Sequence, residues 1–248
     1  MIISHKHEFI FIKTRKTAGT SLEIALSRYL GPTDIVTPIT PEDESVRLSM
    51  GFVSAQNYKH PSYEMGIRAL GAVLRRLGAQ LSGTPAPPGG RWPMRFYNHI
   101  SAELVRGRIG EDTWSRYYKF SIERNPWDTA VSLYFWRTRD REEPDHRDGF
   151  KRYVLAGAHQ PESNYDLYSI DGTPALDFVV RYESLERDLA EVSTRIGLPQ
   201  NIHEVMKGIR AKDRYRRNTN YRDMYDDESR DLIAAQCARE IELFNYTF

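Results

Sequence analysis

A chain of 248 residues with 35 Lys and Arg against 34 Asp and Glu, net charge +1, has the length for one sizeable α/β domain and lacks the excess of a general nucleic-acid binder, though a local basic cleft remains open to it. Its one cysteine, Cys237, excludes an intramolecular disulfide framework and a multi-cysteine metal cluster, and is expected to pack on the last helix. Met1 to His7 reads as polar, with no signal-peptide pattern, and no stretch approaches the ~20 apolar residues of a membrane span.

Residues 8–30 read as strand, anion-binding loop and helix. Phe9, Ile10, Phe11 and Ile12 form a short apolar run, and Leu22, Ala25, Leu26, Tyr29 and Leu30 recur at helical spacing before Gly31-Pro32 stops the pattern. Between them, Lys16-Thr17-Ala18-Gly19-Thr20-Ser21 brings helix N-terminal amides, two exit hydroxyls and a lysine together, the parts of a phosphate or sulfate cradle. Gly19, without a Cβ, lets the backbone close on an anion. A Walker A loop is excluded, because there Gly-Lys-Ser/Thr closes the loop, whereas here the lysine precedes the glycine.

Residues 32–61 show little periodicity and are expected to be irregular, with room for one short helix. Residues 63–81 carry Ile67, Leu70, Val73, Leu74 and Leu77 on one helical face, with Arg68, Arg75 and Arg76 elsewhere. Residues 82–93 are a loop by composition. Ser101, with Glu103-Leu104 behind it, predicts a helix start just after His99, which places an imidazole at a loop-to-helix junction. Trp92, Phe96 and Tyr97 nearby suit either a sugar face or the core.

Residues 118–122 read as a strand leading into Glu123-Arg124-Asn125-Pro126-Trp127, with Pro126 suited to a first helical turn. That helix would turn Ala130, Val131, Tyr134 and Phe135 to the core and Ser132 elsewhere. Arg124, a charged fork, and Ser132, a neutral donor, are then able to hold one phosphate. Residues 137–152, dense in both charge signs, read as a solvated segment. A strand over 176–181 and a helix from Ser184 follow, ending at Gly197-Leu198-Pro199. The basic cluster Arg210, Lys212, Arg214, Arg216 and Arg217 reads as a solvated run that is also placed to close over a nucleotide, and a last helix carries Leu232, Ile233, Cys237 and Ile241.

The loop resembles the 5′-phosphosulfate loop of sulfotransferases that use 3′-phosphoadenosine 5′-phosphosulfate (PAPS), in particular the carbohydrate sulfotransferase branch with its Pro-Lys-Thr-Ala/Gly-Gly-Thr-Ser signature; Arg15 stands where that branch has proline. Arg124-Asn125-Pro126 with Ser132 is similar to the family's 3′-phosphate motif, with Thr129 where relatives often carry Arg. His99-Ile100 matches its His-Ile/Val motif in type and order, Arg181-Tyr182-Glu183 its Arg-Tyr-Glu scaffold element, and the terminal Phe-Asn-Tyr-Thr-Phe its Phe-Gly-Tyr-x-Phe ending, with Asn245 for Gly. Residues 32–93 fall outside the resemblance.

The resemblance implies a single α/β domain over 1–248 with a mostly parallel sheet flanked by helices, like P-loop nucleotide kinases in outline, and 32–93 as a variable acceptor-side insertion. It implies PAPS as sulfuryl donor, adenosine 3′,5′-bisphosphate as product, no metal, and a hydroxyl acceptor on a carbohydrate, glycolipid or related metabolite. Lys16 would stabilise charge on the leaving oxygen and His99 would take the acceptor proton, its unperturbed pKa near 6.5 suiting base work near neutral pH. Lys16, Thr17, Ala18, Gly19, Thr20, Ser21, Arg124 and Ser132 would hold the nucleotide. The absence of a leading membrane anchor, which Golgi relatives carry, makes a bacterial cytoplasmic enzyme the expectation. A magnesium-dependent kinase and a catalytically silent nucleotide-binding protein remain the alternatives.

Overall fold

The computed structural model describes residues 1–60, 94–140, 144–157, 163–209 and 220–248. The helix expected over 63–81, the loop over 82–93 with Trp92, and the basic cluster from Arg210 to Arg217 lie outside them. Among the described residues no helix is long and apolar enough to cross a membrane.

The core is a five-stranded sheet made of β1 (Ile2–Ser4), β2 (Phe9–Phe11), β3 (Ile35–Val36), β4 (Tyr118–Glu123) and β7 (Phe178–Arg181), in the order β3-β1-β2-β4-β7. β5 (Ser169–Ile170) and β6 (Thr173–Pro174) form a separate two-stranded ribbon. The expected mostly parallel sheet is a mixed one. β2, β4 and β7 pair in parallel, but β1 pairs antiparallel with both β2 and β3. The reason lies in residues 1–7, which are not simply polar: Met1, Ile2 and Ile3 are fully buried, and a tight hairpin folds β1 back against β2. Buried Asp34 fastens that hairpin, accepting from the Ser4 hydroxyl at 3.0 Å and from the His5 and Lys6 amides at 2.7 and 3.1 Å.

Strand alternation divides the core into two layers. Ile2, Phe9, Phe11, Phe120 and Ile122 face one side, and Ile3, Ile10 and Ile12 face the other. The first layer is closed by α1 (Gly19–Leu26), α8 (Leu185–Arg195) and α9 (Ile202–Lys207), which bring Leu22, Leu26, Leu189, Val192, Ile202 and Val205. The second is closed by α3 (Ala102–Ile109), α4 (Glu111–Arg116) and α7 (Asn164–Tyr168) through Val105, Trp114, Leu167 and Tyr168. Each apolar side chain so buried contributes roughly 1.5–3 kcal/mol relative to exposure.

A third cluster lies beside the sheet, where α5 (Pro126–Arg137) meets α6 (His146–Leu155) and α10 (Asp227–Gln236) through Trp127, Tyr134, Phe150, Val154 and Ile233. Segment 137–152 is therefore not simply a solvated charge run: its second half is a helix capped by Asp145, with Phe150 fully buried. The residues read as irregular include α2 (Pro41–Ser49), capped by Thr40. The single expected last helix is broken at Cys237 into α10 and α11 (Ala238–Phe244). The Cys237 thiol packs against the third cluster, and burial first, then nearby Glu240, pushes its pKa up to about 12, so it serves as packing.

Candidate functional site

Three chain segments leave the carboxyl ends of the parallel strands β2, β4 and β7 and meet around one cavity of about 560 Å³. Open α/β sheets bind ligands at such strand ends. All nine residues singled out in the sequence, Lys16, Thr17, Ala18, Gly19, Thr20, Ser21, His99, Arg124 and Ser132, line it.

The loop after β2 enters α1 with Lys16 and Ala18 both in the left-handed backbone region, φ 60° and 62°. L-residues reach that region at a cost, so the turn is held by its surroundings. Thr14 ties it to β4 by donating to the Ile122 carbonyl, and its hydroxyl lies 2.9 Å from that of Thr17. Gly19 sits tightly for a reason the sequence does not show: a Cβ there would come within 3.0 Å of Lys13 Cγ, and the lysine would have to give by a few tenths of an ångström. Lys13 runs beneath the loop with Nζ 2.7 Å from Glu23 Oε2, and Glu23 is fully buried. Glu23 also faces Arg47 at 3.5 Å and the Met1 amino group at 3.1 Å. Burial raises the Glu23 pKa, but Lys13, the amino group and Arg47 together outweigh it and bring it down to about 2.

After β4, Asn125 caps α5 by accepting from the Trp127 and Asp128 amides at 3.1 and 3.4 Å, with Pro126 in the first turn as the sequence predicts. Ala130, Val131, Tyr134 and Phe135 are buried, and Ser132 faces the cavity. Arg124 is only 4% exposed. Its Nε and Nη2 donate to Asp128 Oδ2 at 2.9 and 2.6 Å, its Nη1 donates to the Lys16 carbonyl at 3.0 Å, and Tyr182 stacks on it at 4.2 Å. A guanidinium has five N–H groups, so this fixed fork keeps donors for an anion after these three bonds.

The chain end buttresses the same turn. Asn125 Nδ2 donates to the Thr247 carbonyl at 3.1 Å, its amide donates to Glu183 at 2.7 Å, and Phe248 packs edge-on to Trp127. Asn245 caps α11 in the left-handed region at φ 52°, a conformation open to Gly and Asn alike.

His99 sits at the predicted junction, just ahead of α3 and its Ser101 cap, with φ 57°. Its Nδ1 lies 3.0 Å from the Lys13 carbonyl oxygen. A carbonyl can only accept, so Nδ1 carries the proton and Nε2 keeps its lone pair. The expectation of a pKa near 6.5 is corrected here: burial first, then the Lys13 charge, lower it to about 3. The imidazole is neutral across the physiological range. Of the aromatics near it, Phe96 is core, fully buried, and Tyr97 packs against Arg108.

Sequence reasoning missed part of the lining. Tyr182, in the turn before α8, Leu185, the first residue of α8, and His203, Met206 and Lys207, on α9, complete the lining of the cavity, together with Trp136, whose ring centroid lies 5.5 Å from Lys16 Nζ. Six lining residues are basic (Lys13, Arg15, Lys16, Arg124, Arg137 and Lys207), and among the described residues no Asp or Glu lines the cavity. Two exposed glutamates, Glu186 and Glu204, come near His203 but are not part of that lining.

Fold and site together define an α/β protein with a helix-flanked five-stranded mixed sheet and a basic cavity at the carboxyl ends of its parallel strands. No family model matches the sequence. The chain is 31% identical over 121 residues to a protein of Archaeoglobus fulgidus that bears the name "Uncharacterized protein", a match spanning 48% of this chain and 98% of the archaeal one. The chain belongs to the same family as that protein, whose name states no activity.

Proposed function

We propose that the chain is a PAPS-dependent sulfotransferase of the P-loop-like sulfotransferase fold, moving a sulfuryl group to a hydroxyl on a carbohydrate, glycolipid or related metabolite. The observation that carries the reading is the lining of the cavity: a hydroxyl-rich helix N-terminus, six basic residues and no carboxylate among the described residues. A donor with phosphate groups at both its 3′ and 5′ ends suits that charge. A magnesium-dependent kinase normally offers a carboxylate to its metal, and the described lining has none.

In this reading the acceptor oxygen attacks sulfur in line, the bond from sulfur to the bridging phosphate oxygen breaks, and the acceptor proton passes to His99 Nε2. The 16–21 loop holds the phosphosulfate, and Lys16 meets the charge that grows on the leaving oxygen. Arg124 and Ser132 hold the 3′-phosphate. A neutral His99 with a lowered pKa is a weak base in the free protein, and the negative donor beside it raises that basicity at the point of use.

Thermal unfolding in EDTA with adenosine 3′,5′-bisphosphate, ADP or ATP tests the reading. A ligand at ~100 times its dissociation constant adds about 2.7 kcal/mol, a readable shift in midpoint. Stabilisation by the bisphosphate alone is expected, followed by transfer from labelled PAPS in an acceptor screen. Stabilisation by ATP only after magnesium is restored, with none from the bisphosphate, would replace the reading with a kinase.

A further inference from the structure

We propose that Asn164 is a positioning residue that sets the backbone of the 13–21 loop from outside the cavity. Its effect on nucleotide binding rests on the function proposed above, whereas its effect on the loop does not.

The loop leaves the sheet one step after β2. Ile12 still donates to the Phe120 carbonyl at 3.0 Å and accepts from the Ser121 hydroxyl at 2.7 Å, but by residue 15 strand pairing has ended. Asn164 supplies what a neighbouring strand would have supplied. Its Oδ1 accepts from the Arg15 amide at 2.8 Å, and its Nδ2 donates to the Arg15 carbonyl at 3.1 Å. One side-chain amide thus satisfies both backbone groups of one residue, 149 positions away in sequence. The amide bond requires a residue other than proline at position 15.

The contact belongs to a closed circuit. Asn164 Nδ2 also lies 3.3 Å from Glu123 Oε1, and that oxygen accepts from the Arg124 amide at 3.0 Å. Arg124 Nη1 in turn holds the Lys16 carbonyl at 3.0 Å. The peptides on either side of Lys16 are therefore gripped, one by Asn164 and one by Arg124. Between and beyond them sit the two left-handed residues, Lys16 and Ala18, whose backbone needs such external support. Asn164 is not among the residues lining the cavity, so it acts through Arg15.

The test compares wild type, Asn164→Ala, Asn164→Asp and Tyr168→Phe. Tyr168 is the control, since it sits on the same helix and donates to the other Glu123 oxygen at 3.0 Å without touching the loop. Amide hydrogen exchange over 13–21 is measured first, without nucleotide. Asn164→Ala should speed exchange there about tenfold or more, the scale of losing two hydrogen bonds, while Tyr168→Phe leaves it near wild type. Asn164→Asp keeps the shape but turns a carboxylate oxygen toward the Arg15 carbonyl and Glu123; it should loosen the loop at least as much, and it carries the test should the alanine variant not fold. Unchanged exchange, an equal rise in Tyr168→Phe, or global unfolding of both Asn164 variants would overturn the proposal, the last because the residue would then hold the fold rather than the loop. Titration with adenosine 3′,5′-bisphosphate follows, with an affinity loss of about tenfold expected in the Asn164 variants. Exchange that rises with affinity unchanged would overturn the claim that the clamp serves binding. If wild type binds no bisphosphate, the sulfotransferase reading fails and the exchange result alone decides the clamp.

Discussion

Two buried carboxylates flank the 13–21 loop, and they are opposites. Glu23 lies beneath it on α1 against Lys13, Arg47 and the Met1 amino group, and its pKa is held down to about 2. Glu123 lies at the end of β4 among neutral donors, the Arg124 amide, Asn164 and Tyr168; burial is the largest influence on it, Glu240 adds to this, and its pKa is pushed up to about 8. Burial is the same and the outcome differs, because only one carboxylate has cations at hand. The difference also shapes the cavity. Lys13 lines it but is paired with Glu23, and Arg124 is paired with Asp128 at 2.6 Å; a neutral Glu123 adds no second negative charge beside Arg124.

The largest break in this comparison comes from Glu23→Gln, which strands Lys13 and Arg47 without their shared counter-charge. We expect a loss of about 3–5 kcal/mol in urea unfolding at pH 7, the usual scale for removing one partner of a buried ion pair. The sign can be checked in acid. A carboxylate with a depressed pKa gives stability that is present above its unfolded value near 4.5 and is lost as pH falls toward about 2, and this component should vanish in the variant. A cost below ~1 kcal/mol would mean that the cations under the loop are not held by Glu23. Next in size is Lys16→Ala, which contrasts the two lysines of the loop. Lys13 serves the fold, while Lys16 should lower turnover by about 10²–10³ with a much smaller change in bisphosphate affinity. Normal turnover would end the mechanism.

What the sequence discloses here follows the range of the forces involved. β2, α1, β4, α5, β7 and α8 were legible because local periodicity and capping residues decide them, and the nine cavity residues because their motifs are compact in sequence. β1 was not, since three residues become a strand only when β2 and β3 lie on either side. α6 was hidden by its charges, with Phe150 and Val154 too sparse to reveal a buried face. Lys13 offered no sign that its partner would be Glu23, nor His99 that burial beside Lys13 would lower its pKa. The α9 wall and Asn164 are the extreme case: nothing local marks them, because their roles exist only once distant segments meet.

A smaller effect separates the two carboxylates in alkali. A carboxyl group with a raised folded pKa loses its contribution as pH rises from about 4.5 through about 8, so wild type should weaken by roughly 2 kcal/mol between pH 6 and pH 8. His99, lowered to about 3, works in the other direction and only below pH 6.5, where it removes stability as the pH falls. Glu123→Gln, neutral at every pH, should flatten the alkaline limb and leave the acid limb in place. A limb that survives the substitution would assign it to another group.

The smallest expected effect is also the one that links the comparison to binding. When Glu123 ionises, a second negative charge arises one residue from Arg124, whose guanidinium Asp128 already pairs, and subtracts further from the potential that attracts an anion to the cavity. Affinity for adenosine 3′,5′-bisphosphate should therefore fall a few-fold as pH passes about 8, a scale of about 1 kcal/mol or less for a charge partly screened by its partners. Calorimetry across pH 6–9 in wild type and Glu123→Gln reads it directly. Because the glutamine keeps an oxygen for the Arg124 amide and Asn164, geometry is held while charge is removed. An affinity that falls equally in both proteins would show that the neutrality of Glu123 serves its buried surroundings alone; a fall confined to wild type would make the uncharged carboxyl part of how the cavity keeps its charge.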